Sequence, residues 1–400
     1  MSNMTSLLPS QEPLPHNSPL VSKTKEIISK AWGFNKTIQY NPAPNPVSLE
    51  RKHLGYLKSN IANYVVAEKS DGVRYLLVIG NYERKAFAVM VNRRMQMYEV
   101  PIYAHPDYFE SGSVFDGELV IETTPHLQQT RQMFLVFDAC MVKGETFIEY
   151  PFLNRYKTIN TIFDLHNKDI LNDEISKWDN VAFTEARDNN KIVCLGNHMA
   201  LGFKPKPAVP MSNLGSLWRS LSTLQHPSDG LILTPTPTPI LTGTHNTMFK
   251  WKSSHTIDLW VDGSYVKGMW HYDVFYLDDA VKENGQTMGL FVSNTPLLIK
   301  TAKYFGDKNR TQFSLLGEFQ CKFDGEKVWC ILERWRKDKN TPNNKTVIER
   351  TLVNVKENIL VDELISMTSL QIYGLEEGEN VEEKSFTNSE ASVVMDLDNE

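Results

Sequence analysis

The stretch VAEKSDGVRYLLVI, residues 66–79, sets a lysine, an aspartate and an arginine between two apolar, β-branched runs. Strand side chains alternate between faces, so Val65, Ala67 and Lys69 share one face of the first run. Asp71-Gly72 is a turn signal. In the second run Val73, Tyr75, Leu77 and Ile79 line one face, and Arg74, Leu76 and Val78 the other. Apart from Arg74 both faces are apolar, which predicts a strand covered on both sides, and the pair reads as a buried hairpin. An arginine there needs an anionic partner. Asp71 is one candidate, and a phosphate or ribose is another. A turn with charges at its mouth is the bland explanation. K-x-D-G arises by chance about 0.1 times in a chain of this length and K-x-D-G-x-R about 0.005 times, so only the longer pattern carries weight.

Outward from this stretch, most segments between Asn63 and Asp258 are short, apolar and β-branched, with turn signals between them. YVVAEK, VRYLLVIG, KAFAVMV, VFDGELVIE and QMFLVFDAC are strand candidates. Helical patterning falls on KTKEIISKAWGF, FLNRYKTINTIFDLH and SNLGSLWRSLSTL. Pro42, Pro44 and Pro46 end the first helix and extend the chain. Residues 234–247 read as a Pro/Thr-rich loop. Beyond Asp258 the pattern turns all-β, and five or six short strands suit a small barrel, with an OB-fold as one option. A helix follows, with Val347, Thr351, Leu352 and Val355 on one face. The predicted class is α+β: antiparallel sheets with flanking helices, then a C-terminal barrel. The predicted layout is a disordered segment over 1–20, a first domain over 21–255, a barrel over 256–345, a helical segment over 346–374 that packs back on the first domain, and an acidic disordered tail over 375–400.

Composition is that of a soluble globular chain with room for two domains. No apolar run is long enough for a membrane span, and the N-terminus lacks the pattern of a secretory signal. Cys140, Cys194, Cys321 and Cys330 are scattered without a CxxC pair, which argues for reduced thiols and against zinc. Net charge is −6. The tail from Glu376 to Glu400 holds nine acids and one lysine, a net −8, so the rest carries +2. That field is too weak for broad nucleic-acid binding, and any phosphate must be read by a few placed residues.

K-x-D-G-x-R resembles the active-site signature of the covalent nucleotidyltransferases, the family of ATP-dependent ligases and mRNA capping guanylyltransferases. The family's other motifs follow in order. VNRRMQMYEV is similar to the Ia segment and supplies Arg93, with Asn92 where an aspartate is common. VFDGELVIE resembles motif III and supplies Glu118, and FLVFDAC resembles motif IIIa, with Phe137 and Asp138. SDGLILTP resembles motif IV, with Asp229, and MFKWKSSHTIDLW motif V, with Lys250, Lys252 and Asp258. ERWRKDKNTPNN resembles motif VI, with Arg336, Asp338, Lys339, Pro342 and Asn343. Its R-x-D-K-x-x-P-N form is similar to the capping version. FKPKPAVP resembles the segment whose lysine faces the guanine base, in a register open between Lys204 and Lys206 and leaning to Lys206.

The resemblance implies that Lys69 and Asp258 are catalytic. It implies that Arg74, Arg93, Glu118, Phe137, Lys206, Lys250, Lys252, Arg336 and Lys339 hold the nucleotide. A lysine attacks phosphorus only when neutral, and lowering its pKa from about 10.4 to about 7.5 takes roughly 4 kcal/mol. Arg74, Lys250, Lys252 and a metal would favour the neutral form, whereas Glu68 and Asp71 would oppose it. Lys250 and Lys252 flank Trp251 on a strand, so they share a face. A solvated face is the alternative. Glu118 and Asp229 are hard oxygen ligands suited to Mg²⁺ or Mn²⁺, or to ribose contact, and each could instead be a surface acid. Phe137 could stack on guanine or fill a core. Arg336 and Lys339 are expected to reach the β- and γ-phosphates when the C-terminal domain closes. The role of Arg334 is open.

The expected function is that of an mRNA guanylyltransferase. It would take GTP, form a covalent Lys69–GMP and pass GMP to the 5′-diphosphate end of RNA. A separate RNA triphosphatase, a cap methyltransferase and possible contact with RNA polymerase are the expected partners, with no membrane. The expected location is intracellular: the nucleus of a cell, or for a virus a cytoplasmic factory or virion. The rivals are an ATP-dependent polynucleotide ligase and a catalytically dead RNA 5′-end binding module. Labelling with GTP against ATP separates all three.

Overall fold

The computed structural model describes residues 12–124, 129–163, 192–194, 201–267, 269–277, 288–290, 297–298, 312–326, 328–336 and 339–374. From the N-terminus its elements are α1 (Pro19–Ala31), β1 (Asn45–Ser48), α2 (Arg51–Ser59), β2 (Tyr64–Ser70), β3 (Val73–Tyr82), β4 (Lys85–Asn92), β5 (Met97–Glu99) and β6 (Ile102–Tyr103). Then come α3 (Pro106–Glu110), β7 (Ser113–Thr124), β8 (Gln129–Val142), β9 (Glu145–Thr146), α4 (Phe152–Phe163), β10 (Val193–Cys194), β11 (Leu201–Pro205), β12 (Ala208–Pro210) and α5 (Leu214–Ser220). The remainder is β13 (Ser228–Pro235), β14 (Thr244–Lys252), β15 (His255–Val266), β16 (Met269–Leu277), β17 (Met288–Leu290), β18 (Leu297–Leu298), β19 (Gln312–Phe323), β20 (Val328–Trp335), α6 (Lys345–Glu357) and α7 (Val361–Gly374).

Among the described residues four sheets organise these strands: β1-β14-β13-β2-β12; β11-β8-β7-β3-β4-β5, with β9 beside β8; β17-β16-β15-β19-β20-β18; and the small pair β10-β6. Pairing is antiparallel except for β1 with β14, β11 with β8 and β18 with β20. The class is α+β.

The predicted hairpin does not form. β2 pairs with β12 and β13, whereas β3 pairs with β4 and β7, so Asp71-Gly72 is a corner at which the chain leaves one sheet and enters another. Gly72 is needed there because a Cβ would stand 2.4 Å from the Leu119 carbonyl oxygen. The two-sided burial of β3 holds. Tyr75, Leu77 and Ile79 pack with Phe115 and Phe163, and Leu76 and Val78 pack with Ile28 and Val89. Each such side chain contributes about 1.5–3 kcal/mol on burial.

Order begins earlier than the predicted boundary at residue 21. Leu14 packs on the core and its N–H donates to the Met97 carbonyl at 2.7 Å, and Pro19, with its fixed φ, opens α1. The helix α2 has no counterpart in the predicted elements; His53 and Glu50 cap it reciprocally. Residues 1–11 and the acidic tail lie outside the described residues.

The C-terminal sheet is open among the described residues, not the closed barrel expected. Its edge strands β17 and β18 have three and two residues, and neither pairs with the other. Helix α6 packs on this sheet through Ile348 and Val355, while Val347 is exposed, a shift from the predicted face. Helix α7 instead joins the core of the first sheet, where Ile359 and Leu364 meet Leu57 and Trp251. The Trp251 indole N–H donates to the Ile359 carbonyl at 2.9 Å, so the two chain crossings to the C-terminal sheet lie side by side. Cys140, Cys321 and Cys330 are buried free thiols. No helix among the described residues is long and apolar enough to cross a membrane.

Candidate active site

Lys69, the last but one residue of β2, lies opposite Gly230 of β13. The register slips between Ser228 and Gly230, leaving Asp229 as the extra residue of a bulge. Gly230 is obligatory there, since a Cβ would lie 1.9 Å from the Trp251 carbonyl oxygen. The bulge brings Asp229 Oδ1 to 2.6 Å from Lys69 Nζ and Oδ2 to 2.7 Å from Lys252 Nζ. Burial raises the Asp229 pKa, but the two lysines outweigh it and hold the carboxyl below its ordinary range. The ion-pair partner of Lys69 is thus an anion. Cation crowding falls instead on Lys250, whose pKa is lowered by burial and by Lys252, Lys69 and Arg93. Trp251 points into the core, as the alternation of Lys250 and Lys252 requires.

Arg74 pairs with Asp116 rather than with Asp71. Its Nε donates to Asp116 Oδ1 at 2.9 Å, its Nη2 to Asp116 Oδ2, and its Nη1 to the Pro44 carbonyl at 2.6 Å. The guanidinium lies over the Phe137 ring, 5.3 Å from its centroid. Asp116 sits two residues before Glu118 and so on the same strand face; its signal was the need for a buried carboxylate opposite a buried arginine. Glu118 is raised in pKa by burial, against Lys206, Arg74, Lys69 and Arg93 around it.

These groups line a cavity of about 410 Å³, with Lys69, Arg93, Phe137, Lys206 and Lys250 among its walls. Lys206, 5% exposed, reaches it, and its Nζ donates to Ser70 Oγ at 2.7 Å. Lys204 is half-exposed and pairs with Glu122. Asp138 is committed to Arg155 at 2.7 and 3.0 Å.

A second cleft of about 350 Å³ opens between β14 and the C-terminal sheet, lined by Lys250, Lys252, Asp258, Glu318 and Arg336. Asp258 pairs with Lys339 Nζ at 2.5 Å and Arg336 Nη1 at 3.4 Å. Asn343 grips the Asp258 backbone in both directions, at 2.7 and 2.8 Å. Arg334 pairs with Glu318. Asp338 lies outside the described residues. Pro44, Ser70 and His226 are nearby residues without an individual sequence signal; only the packing brings them in.

A lysine beside a corner between two sheets, facing a cavity lined by several cations, is an arrangement able to hold a nucleotide, and the class of protein is nucleotidyltransferase. Residues 14–254 match the family model described as mRNA capping enzyme, catalytic domain, and the chain belongs to that family. Among curated relatives, the mRNA-capping enzyme subunit alpha of Neurospora crassa is 26% identical over 365 residues, covering 81% of this chain and 83% of that protein. The protein of the same name from Schizosaccharomyces pombe is 26% identical over 349 residues, covering 81% and 79%. Among solved structures, mycobacterial DNA ligase D complexed with ATP and MES is 12% identical, covering 75% of this chain and 96% of that one, at a TM-score of 0.37. That score is too low to bear on the site. The chain is a guanylyltransferase of the capping family.

Proposed function

We propose that Lys69 Nζ is the nucleophile that takes GMP from GTP and passes it to the 5′-diphosphate end of RNA. The observation that carries this reading is the placement of Lys69 in the wall of the cavity that Arg74, Glu118 and Lys206 also line. The amine attacks the α-phosphorus, a P–N bond forms, and the P–O bond to the β-phosphate breaks. Pyrophosphate leaves and a lysyl-Nζ–GMP phosphoramidate remains. RNA then attacks the same phosphorus and frees the amine. Lys250 and Lys252 place positive charge where the α-phosphate must sit. Arg336 and Lys339, held by Asp258 in the adjoining cleft, are poised for the leaving phosphates. Lys206 and Phe137 read the base, and Glu118 and Arg93 the ribose.

Among the described residues no three ligating side chains cluster. Mg²⁺ needs only one or two carboxylates when phosphates and water supply the rest, so Asp229, with Glu118 as a second candidate, fits an Mg²⁺ or Mn²⁺ ion carried with GTP. Such an ion, when bound, draws charge from the phosphate oxygens. The part played by this chain is to offer Asp229 to it, a carboxylate that otherwise engages the Lys69 ammonium.

We further infer an intracellular enzyme that works with a separate RNA triphosphatase, in keeping with the name subunit alpha of its relatives, and with a cap methyltransferase. An OB-type C-terminal domain that closes over the cavity belongs to the same reading. The test is intact-protein and peptide mass spectrometry after incubation with GTP and Mg²⁺. A GMP adduct on Lys69, absent from Lys69→Ala, is expected. An adduct elsewhere, or one formed from ATP alone, would overturn the assignment.

A further inference from the structure

Five polar side chains behind the cavity are each more than nine-tenths buried: Glu68, Ser70, Glu122, Lys206 and His226. They form one chain of contacts. His226 Nε2 lies 3.1 Å from Glu68 Oε1, and His226 Nδ1 lies 3.6 Å from Glu122 Oε1. The same Glu68 oxygen accepts from Ser70 Oγ at 2.6 Å and faces Lys206 Nζ at 3.3 Å. On the outer side Glu122 is held by Arg131, at 2.7 Å, and by Lys204. The chain joins two sheets, since Glu68 and Ser70 belong to β2 and Glu122 to β7.

The imidazole sits in a loop fixed by its own backbone. The Gln225 carbonyl accepts from Thr123 N–H at 2.8 Å, and the Pro227 carbonyl accepts from Asp71 N–H at 2.9 Å. Neither bond uses the histidine side chain, so the ring is free to serve a purpose other than holding the loop.

That purpose follows from donor counting. An ammonium has three N–H donors and no acceptor. Lys206 directs one to Ser70 and one towards Glu68, leaving a third for the cavity it lines. The Ser70 proton is spent on Glu68, so its oxygen accepts from Lys206 and the ammonium cannot rotate away. Guanine presents an O6 acceptor where adenine presents an N6 amino donor. A fixed donor therefore favours guanine, provided Glu68 stays ionised and in place. Two buried carboxylates near one another need a cation between them.

We propose that His226 is a positioning residue for base selection: it bridges Glu68 and Glu122 and so fixes the Lys206 ammonium that reads the guanine edge. The inference rests on the reading of the cavity as a GTP site. The charge state agrees with the geometry. Burial lowers the His226 pKa, but the Glu122 and Glu68 carboxylates outweigh it and favour the imidazolium, whose Nε2 hydrogen-bonds Glu68 while Nδ1 faces Glu122 at ion-pair distance.

The test is covalent labelling of the full chain with radiolabelled GTP and, separately, ATP, over a range of nucleotide concentrations with Mg²⁺. His226→Gln keeps a donor for one carboxylate only. It should raise the GTP concentration for half-maximal labelling by about tenfold, the size of one lost charged hydrogen bond, with a smaller change in the maximal rate. The GTP-to-ATP preference should fall by a similar factor. In a Lys206→Met background, His226→Gln should lower that preference no further. Wild-type half-saturation and preference in a folded His226→Gln chain would overturn the proposal, as would additive effects in the double variant. Should His226→Gln fail to fold, Glu122→Gln decides: the same loss of preference supports the bridge, and an unchanged preference overturns it. A wild-type chain that takes no label from GTP overturns the GTP reading itself, and this proposal with it.

Discussion

At the scale of single residues, Arg74 illustrates how much a buried charge specifies. One edge is bound by Asp116 through Nε and Nη2, and Nη1 donates to the Pro44 carbonyl, a geometry that only a planar fork can satisfy. Arg74→Lys keeps the charge but not the fork. It should cost about 1–3 kcal/mol of stability and slow GTP labelling at least about tenfold, read by thermal melting and initial labelling rates. A variant with wild-type melting and rate would show that the guanidinium is dispensable. The residue scale is also where the sequence was most readable. Lys69, Lys250 and Lys252 were legible because strand alternation places them without knowledge of neighbours. Asp116 was legible only as an unnamed need for a carboxylate. His226 was not legible at all, because a histidine in a polar loop carries no sign of what will pack against it.

At the scale of elements, the passage from β2 to β3 is the instructive case. Alternation and an Asp-Gly signal are local, and both were right: the strands and the bend exist where expected. Pairing is non-local. Nothing within residues 66–79 says that β2 prefers β13 and β3 prefers β7, so a corner was mistaken for a hairpin. Closure of the C-terminal strands is non-local in the same way, since strand count does not fix which edges meet.

The loop joining α5 to β13 has a pH signature of its own. Glu68 and Glu122 are held at about 2, where burial opposes but His226 and the other cationic neighbours win. Their contribution is complete above the unfolded value near 4.5 and is lost as pH falls towards 2. His226 is shifted upward, so its contribution is complete below about 6.5 and is lost as pH rises through its folded value. Melting temperatures across pH should therefore fall on both sides of a window from about 4.5 to 6.5. Glu122→Gln should flatten the acid limb and His226→Gln the alkaline one. Unchanged limbs in both variants would contradict the buried bridge.

At the scale of the whole molecule, two clefts share one wall. Lys250 and Lys252 line both clefts, so charge placed by β14 serves both. Arg336 reaches that wall only from the C-terminal sheet. Arg336→Ala should reduce formation of the GMP adduct from GTP about 100-fold or more, the scale of a lost charge contact in a transition state. Transfer of preloaded GMP to diphosphate-ended RNA should suffer much less, because pyrophosphate has already gone. Single-turnover measurement of the two half-reactions separates them, and equal damage would argue against a role on the leaving group.

The contact between Trp251 and Ile359 has a consequence for dissecting the enzyme. Since the polypeptide departs and returns at one doorway, a short glycine-serine bridge from Lys252 to Asn358 could splice out the intervening hundred or so residues, keep Ile359 in place and stretch neither stump. Helix α7 would stay seated on its apolar bed, and the trimmed protein should still hold guanine nucleotide, detectable by calorimetry, while losing the ability to load it.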